Sequence, residues 1–147
     1  MKFLIVYGSI NGNTERMAGY IAEGIRIGGG EADVKPFSAV REPEDFAGYD
    51  GYIFGGPTYH KDLLHGMKAW LFRAKEAGLD GKIGGAFGSH THSGEAPGIL
   101  FDTMLHVFNM DMADLGPFKM VESVIGTPDG LKACQQYGKA LLERASA

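Results

Sequence analysis

The sequence predicts an α/β fold in which a parallel sheet is covered by helices on both faces. Two observations support this prediction. Short, nearly continuous apolar runs alternate along the chain with longer amphipathic segments, and polar loops follow three of the runs. Strands buried on both faces have such apolar runs, and helical crossovers connect them. A chain of 147 residues with 44% hydrophobic content has the size of one domain, so we expect residues 1–147 to form a single domain.

Strands and helices are predicted to alternate along the whole chain. The predicted strands are Lys2–Tyr7, Ala32–Phe37, Gly51–Gly56, Ile83–Ser89 and Met120–Ile125. The predicted helices are Asn13–Ile27, Leu64–Ala77, Ala96–Asn109 and Pro128–Ala145. The glycines at 28–30 end the first helix, and Pro43 suits the first turn of a short helix within the mixed segment 38–49. Trp70 and Cys134 lie at apolar positions of their helices, so we expect both in the core.

Composition excludes several classes of protein. The net charge of -4, without a basic run, argues against nucleic-acid binding. The apolar run at the N-terminus spans about five residues, too few for a signal peptide or a membrane span. A single cysteine cannot form an internal disulfide. We therefore expect a cytoplasmic protein that does not associate with membranes.

Polar loops follow three predicted strands at the carboxyl edge, where ligands bind in open parallel sheets. The loop 9–14, Ser-Ile-Asn-Gly-Asn-Thr, precedes a helix, so its hydroxyls, amides and backbone N–H groups suit a phosphate. The loops 57–61, Pro-Thr-Tyr-His-Lys, and 89–94, Ser-His-Thr-His-Ser-Gly, supply flat side chains and polar groups suited to a planar heterocycle. Together the loops predict a nucleotide site.

The first loop differs from the common nucleotide motifs. It lacks the lysine of a Walker A loop and the three spaced glycines of a dinucleotide fingerprint, so ATP, GTP and NAD fit it poorly. Neutral donors suit a monophosphate. Taken alone, such a segment is often only a turn with a helix cap. A metal site is not predicted, because the spacing of His60, His65, His90, His92 and His106 matches no zinc pattern.

The three loops resemble the FMN loops of flavodoxins. The matching segments are Ser-Ile-Asn-Gly-Asn-Thr, Gly-Gly-Pro-Thr-Tyr-His and Phe-Gly-Ser-His-Thr-His-Ser-Gly-Glu. The last segment is most similar to the flavodoxin domain of flavodiiron proteins, although the chain lacks their diiron ligand pattern. The resemblance implies a short-chain flavodoxin with FMN as its cofactor. It also implies a flavodoxin-like three-layer sandwich whose five-stranded parallel sheet has the order 2-1-3-4-5.

The resemblance assigns a cofactor-binding role to residues of each loop, and it implies no catalytic residue and no metal ligand. The phosphate would be bound by Ser9, Asn11, Gly12, Asn13 and Thr14, with Ile10 contributing only a backbone amide. One side of the isoalloxazine would face Pro57, Thr58, Tyr59 and His60. The other side would face Ser89, His90, Thr91, His92 and Gly94.

Two positions depart from the flavodoxin pattern. His60 stands where many flavodoxins have a glycine whose peptide flips on reduction, and a positive φ costs a non-glycine residue about 1 kcal/mol. We therefore expect the one-electron-reduced flavin to be less stabilised. His92 stands where tyrosine or tryptophan is usual. Because histidine titrates near neutrality, we expect the lower redox potential to rise at acidic pH.

The function implied by the resemblance is single-electron transfer between redox proteins. The donor would be a reductase or a ferredoxin-type protein, the acceptor a flavodiiron-type or other redox protein, and the carrier a monomer. The alternative is an FMN-dependent NAD(P)H:quinone reductase, which needs a second pocket over the flavin and usually a longer chain. The third candidate function is that of a binding or regulatory module that has this fold but binds no flavin. Lys61, His65 and Lys68 form a candidate docking patch beside the second loop.

Overall fold

The structure is a computed structural model that describes residues 1–112 and 114–147. The strands are β1 (Lys2–Tyr7), β2 (Glu31–Pro36), β3 (Gly51–Gly55), β4 (Ile83–His90), β5 (Asp111–Met112) and β6 (Phe118–Val121). The helices are α1 (Asn13–Ile27), α2 (His65–Glu76), α3 (Glu95–His106), α4 (Glu122–Ile125) and α5 (Pro128–Ser146). Short 3₁₀ turns lie at Phe37–Ala39 and Pro43–Phe46, and the second of them begins at Pro43, as predicted.

All of the described strand pairs are parallel, and the order along the sheet is β2-β1-β3-β4-β5, with β6 also paired to β4. The predicted order 2-1-3-4-5 is therefore confirmed. The strand β2, which follows β1 in the chain, lies on one side of β1, and the next strand, β3, lies on its other side. The carboxyl edge between β1 and β3 is the point where the connections diverge, and ligands bind at such a point.

Alternating side chains of the buried strands form two cores, one on each face of the sheet. Phe3 and Ile5 of β1 pack with α1 and α5, where Cys134 lies fully buried. Leu4 and Val6 pack with α2 and α3, where the indole of Trp70 donates a hydrogen bond to the Val40 carbonyl at 2.6 Å. The burial of Cys134 raises the pKa of its thiol to about 12, so this cysteine is a core residue, as predicted.

The fifth strand differs from its prediction. It is split into β5, which pairs with the start of β4, and β6, which pairs with residues 87–90. The prediction of a strand over Met120–Ile125 is wrong for its last four residues, because residues 122–125 form α4. Since β4 ends at His90, residues beyond Val121 have no strand to pair with in this ladder. Ile125 instead enters the core from a helical turn.

Tyr137 of α5 packs against β4 and β6. Its ring stacks on Phe118 at a centroid distance of 4.6 Å, and its hydroxyl donates to the carbonyl of Ala86 at 3.3 Å. A Cβ on the adjacent Gly85 would come within 2.7 Å of this hydroxyl, so glycine is needed here for the close approach. The tyrosine hydroxyl thus supplies a hydrogen-bond donor to the backbone of β4 at Ala86.

The other boundaries shift by one to three residues. The second strand is Glu31–Pro36. The fourth strand includes Ser89, as predicted, and also His90, which therefore belongs to a paired strand and not to the predicted loop. The third helix begins at Glu95 and ends at His106, before the predicted Asn109, which has a positive φ of 55°. None of the described helices has the length and apolarity needed to cross a membrane.

Candidate functional site

The first loop places the N-terminal end of α1 beside open space. Gly12 is the N-cap of α1 with φ of 90°, and no side chain caps this helix end. The backbone N–H of Gly12 donates to the Ser9 hydroxyl at 3.0 Å, and the Asn13 side-chain amide donates to Asn11 Oδ1 at 3.1 Å. A Cβ built on Gly12 would meet nothing within 4 Å. The helix dipole therefore points its positive end at an accessible space, which favours an anion.

A buried hydrogen bond ties the first loop to the third. The hydroxyls of Thr14 and Ser89 lie 2.8 Å apart, and both residues are almost completely excluded from solvent. Thr14 belongs to the first turn of α1, and Ser89 to the end of β4. Two loops that are 75 residues apart in sequence thereby hold a fixed distance at the carboxyl edge of the sheet.

The second loop folds into a tight turn at Tyr59–Asp62. The backbone N–H of Tyr59 donates to the Asp62 carbonyl at 2.8 Å, and the Asp62 N–H donates back at 3.0 Å. The two central residues, His60 and Lys61, have φ of 51° and 61°. This left-handed pair is the pattern of a type I′ turn, which usually has glycine or asparagine at these positions. His60 thus has a positive φ although its side chain carries a Cβ.

An ion pair fixes the end of this turn. The Lys68 ammonium of α2 bonds to the Asp62 carboxylate, and this bond holds the pKa of Asp62 below its ordinary value. The Leu63 N–H also donates to Asp62 Oδ1 at 2.8 Å. Lys68 of the predicted docking patch is thus engaged with the turn, while His65 and Lys61 are exposed.

The second and third loops are joined by two hydrogen bonds through Thr58. Its backbone N–H donates to the Ser89 carbonyl at 2.9 Å, and its hydroxyl accepts from the N–H of Ala96 at 3.0 Å. Gly94 is the N-cap of α3, and a Cβ there would lie 2.9 Å from the Lys119 side chain and 3.0 Å from the His90 ring. A larger residue at this position would therefore have to displace the Lys119 side chain and press on the His90 ring.

A cleft of about 320 Å³ opens between the second and third loops, and Tyr59 and His92 both line it. The other lining residues are Thr58, His60, Lys61, Thr91 and Ser93. Tyr59 is 53% exposed, so its ring lies at the surface of the cleft and not in the core. Flat side chains with polar groups between them suit a planar ring system.

Two buried polar atoms near the third loop lack partners among the described residues. They are Nδ1 of His90 and Oε2 of Glu95, the first residue of α3. Burial lowers the pKa of His90, and the charge of Lys119 lowers it further, while Glu95 and Glu122 act in the opposite direction. Desolvation is the largest cause, so the imidazole is held towards its neutral form.

The structure brings the three predicted loops together at one edge of the sheet. Ser9–Thr14 lies beside Ser89 through Thr14, and Thr58 bridges the other two loops. Ile10 is 59% exposed and Pro57 is buried. The sequence reasoning missed Ser93, which lines the cleft, and Asp62, which closes the turn. The position of Ser93 between His92 and Gly94 was a signal for the first, and the preference of aspartate for turns a signal for the second.

Comparison with known proteins identifies the family. The family model described as Flavodoxin matches residues 5–137. The chain belongs to the flavodoxin family. Flavodoxins bind FMN, and FMN is the cofactor of this chain. A flavodoxin of Clostridium saccharobutylicum is 39% identical over 88 residues, which span 59% of this chain and 54% of that protein. The match to this relative therefore covers about half of its length.

A second kind of relative has an enzyme name. The NAD(P)H dehydrogenase (quinone) of Archaeoglobus fulgidus is 28% identical over 185 aligned positions, which cover 98% of this chain and 97% of the relative. The corresponding protein of Cupriavidus metallidurans is 32% identical over 139 positions, covering 78% of this chain and 70% of that protein. The flavodoxin fold of this chain is thus similar to both carriers and reductases.

Solved structures share the whole fold. A flavodoxin from the domain Archaea superposes with a TM-score of 0.89 at 28% identity, and the match covers 100% of both chains. The flavodiiron core Flv1 of Synechocystis superposes with a TM-score of 0.86 at 22% identity, covering 99% of this chain and 36% of that one. The second likeness is one of fold, and it agrees with the predicted similarity to a flavodiiron flavodoxin domain.

The observed donors fit FMN. The uncapped end of α1 and the open space at Gly12 suit a phosphate, because neutral donors and the helix dipole stabilise an anion. The cleft between Tyr59 and His92 suits the ring. Among residues 1–112 and 114–147, no group of three or more histidine, cysteine or acidic side chains could hold a metal ion.

Proposed function

We propose that this flavodoxin carries single electrons between redox proteins and has no substrate of its own. The size of the cleft is the observation that supports this proposal. At about 320 Å³ it lies near the lower end of ligand pockets, which range over about 300–1,000 Å³. One planar ring system fits this space. A reductase would need room for a second ring, from a nicotinamide or a quinone, over the first.

Each loop has a separate task in this proposal. The backbone N–H groups of residues 10–14, with the hydroxyl of Ser9, bind the phosphate of FMN. Thr14 contributes its backbone N–H, because its hydroxyl is buried against Ser89. Tyr59 and His92 flank the ring, with Pro57, Thr58 and His60 on one side. Ser89, His90, Thr91 and Gly94 lie along the other side. When bound, FMN supplies one-electron redox chemistry, and the residues of the chain set its potential by excluding water and placing dipoles.

The exposure of Tyr59 supports transfer to an external partner. Because 53% of its surface is open to solvent, a protein that docks on this side reaches the edge of the cleft without any opening of the fold. Electron transfer through such an edge needs only a small, transient contact. We propose a reductase or ferredoxin-type donor and a flavodiiron-type or other acceptor, with the carrier acting as a cytoplasmic monomer and as one FMN-binding domain.

The alternative is an FMN-dependent NAD(P)H:quinone reductase. The relative in Archaeoglobus fulgidus, which is matched over 98% of this chain, favours it. A direct test separates the two functions. In one mixture the FMN-loaded protein is given NADH or NADPH and a quinone. In a second mixture it is given NADPH and a ferredoxin-type reductase, which takes electrons from the NADPH. A carrier leaves the nicotinamide unoxidised in the first mixture and is reduced in the second, whereas rapid nicotinamide oxidation in the first mixture would establish the enzyme.

FMN binding by the proposed loops has its own test. The FMN-free protein is titrated with FMN and with riboflavin, which lacks the phosphate, and quenching of flavin fluorescence is followed. We expect FMN to bind at least about 100-fold more tightly, because several charge-assisted hydrogen bonds of about 1.5–3 kcal/mol each are lost with the phosphate. Equal affinities would show that the first loop does not bind the phosphate.

A further inference from the structure

Helices α2 and α3 leave an apolar groove between them that is open to solvent. Its volume is about 350 Å³, and it lies outside the three cofactor loops. We call it the α2–α3 groove and define it by its apolar lining residues, Leu63, Leu71, Phe72, Ile99, Val107 and Phe108. Protein interaction sites commonly have such a concentration of apolar side chains on a solvent-exposed face.

Phe72 gives the groove its unusual character. It is 75% exposed, more than any other large apolar side chain of the described residues, and Val107 on the opposite wall is 48% exposed. A phenylalanine side chain that stays exposed to water does not stabilise the fold by most of the free energy that its burial would contribute. Phe72 of α2 and Val107 at the C-cap of α3 therefore contribute little to the stability of the fold. They leave apolar surface on both sides of the groove that a partner could cover.

Charge distinguishes the wall formed by α2. Lys68 and Lys75 also line the groove, whereas Glu76, the one carboxylate of α2, is not among its lining residues. This wall is cationic on a chain whose net charge is -4. Lys75 forms no ion pair with any of the described residues, and Lys68 is paired with Asp62. The groove thus has an apolar floor and a positive rim, which complement an acidic partner.

The groove is continuous with the edge proposed for electron transfer. Leu63 directly follows Asp62, which closes the turn that begins at Tyr59. Lys68 contacts both features, since it lines the groove and pairs with Asp62. A partner seated in the groove would therefore touch the base of the turn whose Tyr59 lines the cofactor cleft.

We propose that the α2–α3 groove docks an acidic amphipathic helix of a redox partner, an inference that rests on the carrier function proposed above. Between Lys68 and Lys75 the lining runs for seven residues of α2, a length of about 10 Å. A helix with apolar residues at positions i, i+3 or i+4, and i+7 presents a stripe of the same length. Acidic residues beside that stripe meet the lysines, which fixes orientation and accelerates encounter.

The test uses the FMN-loaded protein and two synthetic amphipathic helical peptides with the same leucine stripe, one flanked by glutamates and one by lysines. Binding is followed by backbone amide chemical shifts in ¹⁵N-labelled protein. We expect the glutamate peptide to shift Leu71, Phe72, Ile99 and Val107 saturably, and the lysine peptide to bind at least about tenfold more weakly. Raising the salt from about 0.1 M to about 1 M should weaken the glutamate peptide, because the screening length falls.

Matched variants locate the site. Phe72→Ser should weaken the glutamate peptide about tenfold or more, whereas Ile27→Ser, at a residue 64% exposed on α1, should leave it unchanged. Lys75→Glu should weaken it, and Lys139→Glu on α5 should not. Equal binding of both peptides, or shifts confined to another face, would overturn the proposal. So would a wild-type dimer that Phe72→Ser converts to a monomer, since the occupant would then be a second copy. These results leave the carrier function standing, because that function is judged by the nicotinamide and reductase assays.

Discussion

The hydroxyls of Thr14 and Ser89 lie 2.8 Å apart in the interior of the protein, between the first turn of α1 and the end of β4. Both residues are almost completely excluded from solvent. Burying either hydroxyl without a hydrogen-bond partner would cost free energy, and the bond between the two hydroxyls offsets that cost. The pair therefore couples the geometry of the phosphate loop to that of the loop beyond β4.

Breaking this pair should cost stability in a way that depends on both partners. Ser89→Ala leaves the Thr14 hydroxyl buried without its partner, so we expect the unfolding free energy of the FMN-free protein to fall by about 1–3 kcal/mol. Thr14→Val should have a similar effect. In the double variant both groups are apolar, and its loss should be smaller than the sum of the two single losses. Urea denaturation of the three variants measures the coupling.

The control for this cycle is Ser38→Ala, because Ser38 is exposed and should change the unfolding free energy by less than about 0.5 kcal/mol. Strict additivity of Thr14→Val and Ser89→Ala would mean that the two hydroxyls do not bond in solution. The same variants should also bind FMN more weakly, because the loops that they connect would lose their fixed spacing.

The left-handed turn at His60 and Lys61 should be relieved by glycine. A left-handed conformation costs a residue with a Cβ about 1–2 kcal/mol, and glycine regains part of this at an entropic cost of about 0.5–1 kcal/mol. We therefore expect His60→Gly to raise the unfolding free energy of the FMN-free protein by up to about 1 kcal/mol, as measured by urea denaturation.

The matched control is the same substitution at His106, the last residue of α3. Helical backbone gives glycine no advantage there, so His106→Gly should lower the unfolding free energy by about 0.5–1 kcal/mol. If both glycine variants were destabilised equally, His60 would not have a positive φ in solution. Opposite signs for the two variants would support the observed turn.

The sequence was sufficient for the elements whose signals are local. The loop 9–14 could be located because a buried strand and a helix start flank it. Val124 and Ile125 were not predicted correctly, because a short apolar run fits a buried strand and a helical turn equally well. What decides between them is the end of the β4 ladder at His90, which lies more than thirty residues away in the chain. Pairing partners distant in sequence leave no local pattern.

Two features of the site were beyond sequence reasoning for other reasons. The turn at His60 and Lys61 contains neither glycine nor asparagine, so its residue types gave no sign that both would be left-handed. The buried atoms of His90 and Glu95 depend on how β4, β6 and α3 pack together. One carboxylate oxygen of Glu95 is buried although glutamate is a residue type that usually faces solvent.

The hydrogen bond from Tyr49 to Asp33 should make stability depend on pH at both extremes. The Tyr49 hydroxyl donates to Asp33 Oδ2 at 2.6 Å. Burial, together with this bond, raises the pKa of Tyr49 to about 12, and the bond lowers the pKa of Asp33. The tyrosine contribution is complete below about pH 10 and is lost as the pH rises towards 12. The aspartate contribution is lost as the pH falls below about 4.

Tyr49→Phe tests this relationship. The variant should lose about 1–1.5 kcal/mol of unfolding free energy at pH 7, and its stability should decline less than that of the wild type between pH 10 and pH 12. Tyr20→Phe, at a partly buried tyrosine of α1, is the control and should keep the alkaline decline. Parallel alkaline curves for the wild type and Tyr49→Phe would contradict the assignment.

His90 should make the FMN-free protein less stable in mild acid. Its pKa is lowered in the folded state, chiefly by burial and next by Lys119 of β6, while Glu95 of α3 and Glu122 of α4 oppose this. The unfolded chain therefore binds a proton more readily than the folded one. Stability from this group is complete above about pH 6.5 and is lost as the pH falls through the folded-state pKa.

Replacing the imidazole with a group that does not titrate isolates this effect. We expect His90→Gln to reduce the decline of unfolding free energy below about pH 6.5, and His65→Gln, at an exposed histidine, to leave it as in the wild type. The NMR titration of the His90 ring protons gives its pKa directly and should place it below that of a model histidine. A midpoint at or above the model value would mean that the charges of Glu95 and Glu122 outweigh burial, and the acid loss of stability would then have to come from other groups.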